Sequence, residues 1–64
     1  MERGSAGRVL VVDDERVLAG VVGNYLDRAG FETRTVGDGL DAVEVARSWA
    51  PDVIVLDLGL PGLD

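Results

Sequence analysis

The sequence predicts an α/β fold, a partial doubly wound unit built on a parallel sheet. Three short β-prone runs alternate with two segments in which apolar residues recur at helical spacing. Two of the three runs are apolar throughout, which is typical of strands covered by helices on both faces. Strands and helices that alternate in this way are joined by right-handed crossovers, so we expect parallel strands. Because three strands and two helices cover such a sheet poorly, we expect the 64 residues to form part of a larger unit.

The first strand and the first helix are predicted from a run of branched residues and the amphipathic segment after it. Residues 9–12 form the run, and Asp13 and Asp14 follow it. We expect Asp14 to cap the helix and Gly30 to end it in the left-handed conformation. The apolar stripe of this helix consists of Val17, Leu18, Val21, Val22, Tyr25, Leu26 and Ala29.

Two further strands and a second helix complete the pattern. Residues 31–36 alternate in character and are β-prone, so we expect a second, less buried strand. A second helix opens at Asp38 and Gly39 and is stopped by Pro51. Residues 52–57 form the third strand, which is apolar between its terminal aspartates. The apolar positions of the second helix are Leu40, Ala42, Val43, Ala46 and Trp49, and we expect Trp49, like Tyr25, to serve packing.

Composition and charge exclude several classes of function. A net charge of -6 and a pI near 4.3 argue against direct contact with nucleic acid or an anionic membrane. The absence of cysteine and histidine excludes disulfides and the usual zinc sites. The longest apolar runs have four residues, far below the ~20 that span a bilayer. We expect a cytoplasmic protein with a flexible tail at residues 1–7, and a domain at 8–64.

The sequence contains no lysine, because all six basic residues are arginines.

Three carboxylates follow the two apolar strands: Asp13 and Asp14 after the first, and Asp57 at the end of the third. Ligands of doubly wound sheets bind beyond the carboxyl ends of the strands. If the first and third strands are neighbours, the three acids converge and repel one another unless a hard cation such as Mg²⁺ binds. One carboxylate could then attack a phosphoryl group. The other interpretation is that Asp14 only caps a helix and Asp57 only ends a strand.

Three segments of the sequence resemble a response-regulator receiver domain of two-component signalling. They are RVLVVDDE at residues 8–15, GDGLDA at 37–42, and PDVIVLDL at 51–58, the last followed by Leu60-Pro61. The resemblance runs from residue 8 to residue 64. It implies a flavodoxin-like sheet with strand order 2-1-3-4-5, of which this chain supplies the N-terminal portion, order 2-1-3.

The resemblance also implies roles for single residues. Asp57 matches the phosphoacceptor, which a sensor histidine kinase phosphorylates with Mg²⁺ bound. Asp13 and Asp14 match the acidic pair that holds the metal, Asp14 directly and Asp13 mainly through water. Gly59 matches the position that offers a backbone carbonyl to the metal. We therefore expect a phosphorelay module that is not itself an enzyme. The family's switch hydroxyl and its lysine belong to the fourth and fifth strands.

Two other functions remain open at this point. The chain could be a switch-incompetent receiver fragment that acts only in interaction. Whatever its function, the uncovered third strand predicts that the chain is ordered only as a homo-oligomer, most simply a two-fold dimer. The chain could also belong to the aspartate-nucleophile phosphatase-like hydrolases. Those enzymes usually carry Asp-x-Asp after the first strand, whereas this chain has adjacent Asp13 and Asp14 followed by Glu15.

Overall fold

The computed structural model describes residues 6–56 as a three-stranded parallel sheet with a helix in each crossover. The elements are β1 (Arg8–Val12), α1 (Arg16–Arg28), β2 (Glu32–Val36), α2 (Gly39–Trp49) and β3 (Val53–Leu56). The strand order β2-β1-β3 confirms the predicted α/β class and the order 2-1-3. The predicted roles of Asp57 and Gly59 fall on residues outside the described range.

The central strand β1 pairs in parallel with both of its neighbours. Val12, its last residue, lies opposite Val36 of β2 on one side and Leu56 of β3 on the other. All three strands therefore end at the same level. The carboxyl ends form one continuous edge, as a ligand site of this fold class requires.

The core is built on β1. Val9 and Val11 pack with Ala19 of α1, and Val22, Leu26 and Phe31 lie partly buried around them. Leu10 alternates to the opposite face of the strand, where it is fully buried. Both faces of β1 are thus covered, which confirms the prediction made from its unbroken apolar run.

Helix α1 begins without the predicted Asp14 cap. Its N-cap residue is Glu15, and the Glu15 side chain makes no capping hydrogen bond. Asp14 precedes the N-cap, so its carboxylate is not at the position from which a side chain reaches the free N–H groups of the first turn. The Glu15 N–H instead donates to Asp13 Oδ1 at 2.9 Å. The capping prediction for Asp14 is wrong.

The C-terminal end of α1 agrees with prediction. Gly30 adopts a φ of +103°, in the region that favours glycine. Its N–H donates to the carbonyl of Asp27, and the N–H of Phe31 donates to that of Leu26, both at 3.0 Å. These two bonds form a Schellman motif, which satisfies carbonyls that the helix leaves free.

No member of the predicted α1 stripe is fully buried, and only Val22 and Leu26 are partly buried against the core. The buried positions of the helix are Ala19 and Gly23, which lie outside that stripe and whose small size lets the helix approach the sheet closely. Tyr25 is 74% exposed, so the packing prediction for it is wrong. The other exposed members of the stripe include Val17, Leu18 and Val21. The helix packs along the line of its small residues rather than along the centre of the predicted apolar stripe.

Helix α2 has the predicted boundaries. Asp38 is its N-cap, and Asp38 Oδ1 accepts a hydrogen bond from the N–H of Asp41 at 2.9 Å. The helix ends at Trp49, and Ala50 follows in the left-handed region with a φ of 54°. Pro51 comes next, where a proline cannot continue the helix.

Trp49 anchors α2 to the sheet and is 6% exposed, which confirms its predicted packing role. The guanidinium carbons of Arg34 and Arg8 lie 4.8 and 5.5 Å from its ring centroid, within the range of cation–π attraction. Arg8 Nη1 also donates to the Trp49 carbonyl oxygen at 2.6 Å. Because Arg8 begins β1, this carbonyl contact fixes the end of the sheet opposite the acidic pair.

The segment before β1 is hydrogen-bonded where the structure describes it. The N–H of Ala6 donates to the carbonyl of Gly30 at 2.9 Å, and the carbonyl of Gly7 accepts from the N–H of Glu32 at 2.8 Å. Residues 1–5 of the predicted tail lie outside the described range. Between residues 6 and 56, neither helix has the length and apolarity needed to cross a membrane.

Candidate functional site

The acidic pair lies at the carboxyl edge of the sheet, directly after the central strand. Asp13 still belongs to the edge, because its N–H donates to the Val36 carbonyl of β2 at 3.0 Å. Asp14 is the next residue, in the turn that leads to α1. The location predicted for the pair at the end of the first strand is therefore confirmed.

The two carboxylates of the pair have different surroundings. Asp13 is only 6% exposed, and its Oδ1 accepts the hydrogen bond from the Glu15 N–H. A carboxylate so removed from water needs donors or a cation to offset its lost hydration. Asp14 is exposed and accepts no hydrogen bond from any residue between 6 and 56. One carboxylate is thus held in place by the backbone, and the other is open to a ligand.

A cleft of about 550 Å³ opens beside the pair, between the ends of β1 and β2. Its charged lining residues are Asp13, Asp14, Arg16, Asp38 and Asp41. Four carboxylates against one guanidinium give the cleft a negative field that attracts cations. Within residues 6–56, however, no three acidic side chains are grouped so that they could hold a metal ion. Of the described acidic side chains, at most two could therefore bind one metal ion here, and water or ligands outside residues 6–56 would complete its coordination.

Three of these lining residues were not predicted as site residues. Asp38 was interpreted as a helix cap, which it is, while Arg16 and Asp41 were not assigned to the site. The signal that could have found them is positional. The loops after β1 and β2 begin at the same edge of the sheet, so charged residues at the starts of α1 and α2 face a common space.

The other predicted ligands, Asp57 and Gly59, follow β3 in the sequence. Leu56 lies opposite Val12 in the sheet, and Asp57 is the next residue of the sequence. The structure does not describe Asp57 or Gly59, and their convergence with Asp13 and Asp14 stays a prediction.

Comparison with known protein families gives an independent result. The family model for the response regulator receiver domain matches residues 9–64. This range contains all five secondary-structure elements except the first residue of β1.

Curated proteins similar to this chain carry regulatory names. The "DNA-binding response regulator MtrA" of Mycobacterium leprae is 44% identical over 57 residues, which are 89% of this chain and 25% of that protein. The "Probable transcriptional regulatory protein TcrX" of Mycobacterium tuberculosis is 52% identical over 59 residues, 88% of this chain and 25% of that protein. The "Alkaline phosphatase synthesis transcriptional regulatory protein PhoP" of Bacillus subtilis is 42% identical over 57 residues, 89% of this chain and 24% of that protein. The chain thus spans about a quarter of the length of these relatives.

Proposed function

The chain belongs to the response regulator receiver domain family, and from that premise we propose that it is a phosphoacceptor module in which Asp57 receives a phosphoryl group from a sensor histidine kinase. The observation that carries the proposal is the register of β1 and β3, in which Val12 lies opposite Leu56. Asp13 and Asp57 are the next residues after these two in the sequence. The register therefore supports a site shared by the ends of both strands.

We propose Mg²⁺ as the cofactor of this site, because the donor set suits a hard cation. The described part of the site offers carboxylate oxygens in a negative cleft, and Mg²⁺ is bound by one or two carboxylates together with water. Asp14 is exposed and would bind directly, whereas Asp13 is held by the Glu15 N–H and would act through water. Asp57 and the Gly59 carbonyl would complete the set. The bound ion would supply positive charge that offsets these carboxylates and the incoming phosphoryl oxygens.

The chemical step belongs to Asp57. One of its carboxylate oxygens attacks the phosphorus atom of the phosphohistidine, and an O–P bond forms while the P–N bond breaks. The electron pair of the broken bond leaves with the imidazole nitrogen, and the product is an aspartyl phosphate. The module is then a substrate of the kinase rather than an enzyme.

Transfer to the 64-residue chain should be slow. The 64 residues contain no lysine, so no lysine ammonium group of this chain can bind the phosphoryl oxygens as they move. We therefore expect phosphoryl transfer to Asp57 to be slow, specific to that residue and dependent on Mg²⁺.

The experiment is labelling with phosphoramidate, a small phosphodonor, followed by intact-mass measurement with and without Mg²⁺. We expect slow addition of one phosphoryl group to the wild-type chain with Mg²⁺, and none to Asp57→Asn. Asp52→Asn is the matched control, because Asp52 precedes the same strand at its other end and its retained oxygen can still accept from the Arg8 N–H. Equal labelling of Asp57→Asn and Asp52→Asn would contradict the proposal.

The alternative of a switch-incompetent interaction module is not favoured, because the acidic pair stands at the edge where a phosphoacceptor site requires it. The hydrolase alternative loses its support because the chain belongs to the receiver family. We propose that the module works in the cytoplasm and makes no direct contact with nucleic acid or membrane, which its net charge of -6 would disfavour.

A further inference from the structure

Arg16 is the one cation among the charged residues that line the acidic cleft, within the described part of the chain. It is exposed and makes no ion pair with another residue of the range 6–56. Its neighbours in the cleft include Asp13 and Asp14, the two described residues of the proposed site. Within the described residues, therefore, a guanidinium without an ion-pair partner lies beside the acidic pair.

The position of Arg16 is unfavourable for the helix that it begins. It is the first residue of α1, whose first turn holds no acidic side chain and whose N-cap makes no side-chain hydrogen bond. The N-terminus of a helix carries partial positive charge, which favours anions and disfavours a cation. A cation at a helix N-terminus does not help the helix to form, so Arg16 is a candidate for a role in the site rather than in folding.

The chemistry of the proposed reaction supplies such a role. A phosphodonor is an anion, and it must approach an edge where four carboxylates repel it. A guanidinium binds two phosphoryl oxygens at once through parallel N–H groups, which fixes the orientation of the donor as well as attracting it. Among the side chains of these 64 residues, only an arginine can make such a cationic contact, because they include no lysine and no histidine.

We propose that Arg16 is a positioning residue: its guanidinium binds the phosphoryl oxygens of the incoming donor at the mouth of the acidic cleft. This inference rests on the proposed function, since it concerns the same site. Arg16 does not react; it raises the affinity for the donor and leaves the bond-forming step to Asp57.

The first test measures binding alone, with inorganic phosphate as the probe at saturating Mg²⁺. Dissociation constants come from backbone amide shifts of the wild-type chain and of Arg16→Gln, Arg16→Lys and Arg28→Gln. We expect Arg16→Gln to weaken phosphate binding about three- to tenfold, as for the loss of a partly exposed charge-assisted contact. Arg16→Lys should recover part of the loss, because it restores the charge but not the paired donors. Arg28→Gln, at the other end of α1, should match the wild type.

The second test separates positioning from folding. In phosphoramidate labelling, Arg16→Gln should raise the half-saturating donor concentration more than it lowers the maximal rate, and its Tm should not fall. Equal phosphate affinity of Arg16→Gln and Arg28→Gln, or no phosphate binding by the wild-type chain, would overturn the inference. Labelling that does not depend on Asp57, with the phosphate affinities still ordered as expected, would contradict the proposed function but not the anion contact of Arg16.

Discussion

Gly23 of α1 and Thr35 of β2 lie against each other with room for one additional carbon between them. A Cβ built on Gly23 would stand 3.5 Å from Thr35 Cγ2 and 3.8 Å from Thr33 Oγ1. Both are ordinary van der Waals distances. The helix approaches the sheet closely here, yet the contact does not require glycine.

Gly23→Ala should therefore stabilise the chain. The substitution removes backbone freedom from the unfolded state and improves helix propensity, which together raise the free energy of unfolding by about 0.5–1 kcal/mol. Urea denaturation at one fixed protein concentration measures the change. Gly20→Ala is the matched control, because a Cβ there meets nothing within 4 Å and reports propensity alone. A loss of stability in Gly23→Ala beside a gain in Gly20→Ala would mean that helix and sheet lie closer than described.

Gly30→Ala, in contrast, should destabilise the chain. Gly30 also has open space around its Cβ position, but its φ of +103° is one that an L side chain rarely adopts. We expect the free energy of unfolding to fall by about 1–2 kcal/mol from backbone strain at the end of α1. The same urea experiment checks it, and a neutral result would count against the Schellman motif.

The exposed strand β3 predicts self-association of the 64-residue chain. Its four side chains are between 39% and 55% exposed, and within residues 6–56 its outer edge has no pairing strand. The opposite edge, β2, carries Glu32 and Arg34, which discourage pairing, whereas β3 carries no charge. We expect a concentration-dependent homodimer in sedimentation equilibrium, formed through β3 by a two-fold axis.

Ile54→Lys tests this association by placing a charge on the strand. We expect it to weaken the dimer at least about tenfold, since an edge charge opposes pairing. Val43→Lys, on α2, changes the net charge equally and removes a similarly exposed apolar side chain, 55% against 46% for Ile54. Equal weakening by both variants would assign the effect to net charge, and a wild-type monomer at all concentrations would refute the prediction outright.

Metal binding at the carboxyl edge should be weak and local. We expect Mg²⁺ to bind on the order of millimolar, because few protein ligands reach the ion and it retains several waters. Paramagnetic Mn²⁺, used in its place, should broaden the amide signals of Asp13 and Asp14 and spare those of Arg8 and Asp52 at the other end of the sheet. Asp57→Asn should weaken the broadening, and Asp52→Asn should not. Uniform broadening along the chain would show that no site exists at this edge.

Much of the fold could be predicted from the sequence because its signals are local. The unbroken apolar run of β1, the cap at Asp38 and the glycine at position 30 each depend on a few adjacent residues. The buried face of α1 could not be predicted, because Val17, Val21 and Tyr25 continue the same helical periodicity as the residues that pack. Tertiary contact decides between them, and the closest approach of the backbones selects the small residues Ala19 and Gly23.

Part of the candidate site could also be predicted from the sequence. The position of Asp13 and Asp14 followed from the end of a recognisable strand. The cap at Asp14 was a poor prediction because Asp13, one residue earlier, accepts the only side-chain hydrogen bond to this turn within the described residues. The place of Arg16 in the cleft was not predicted, because it depends on the loops after β1 and β2 opening into one space, which the preferences of single residues do not contain.

The most direct test of the account is chemical trapping of the phosphorylated residue. After phosphoramidate and Mg²⁺ treatment, borohydride reduction converts an aspartyl phosphate to homoserine, and peptide sequencing by mass spectrometry locates it. The account predicts homoserine at position 57 alone, in an amount that falls when Mg²⁺ is omitted. Homoserine at position 13, 14 or 52, or trapping that is spread over several aspartates and independent of Mg²⁺, would contradict it.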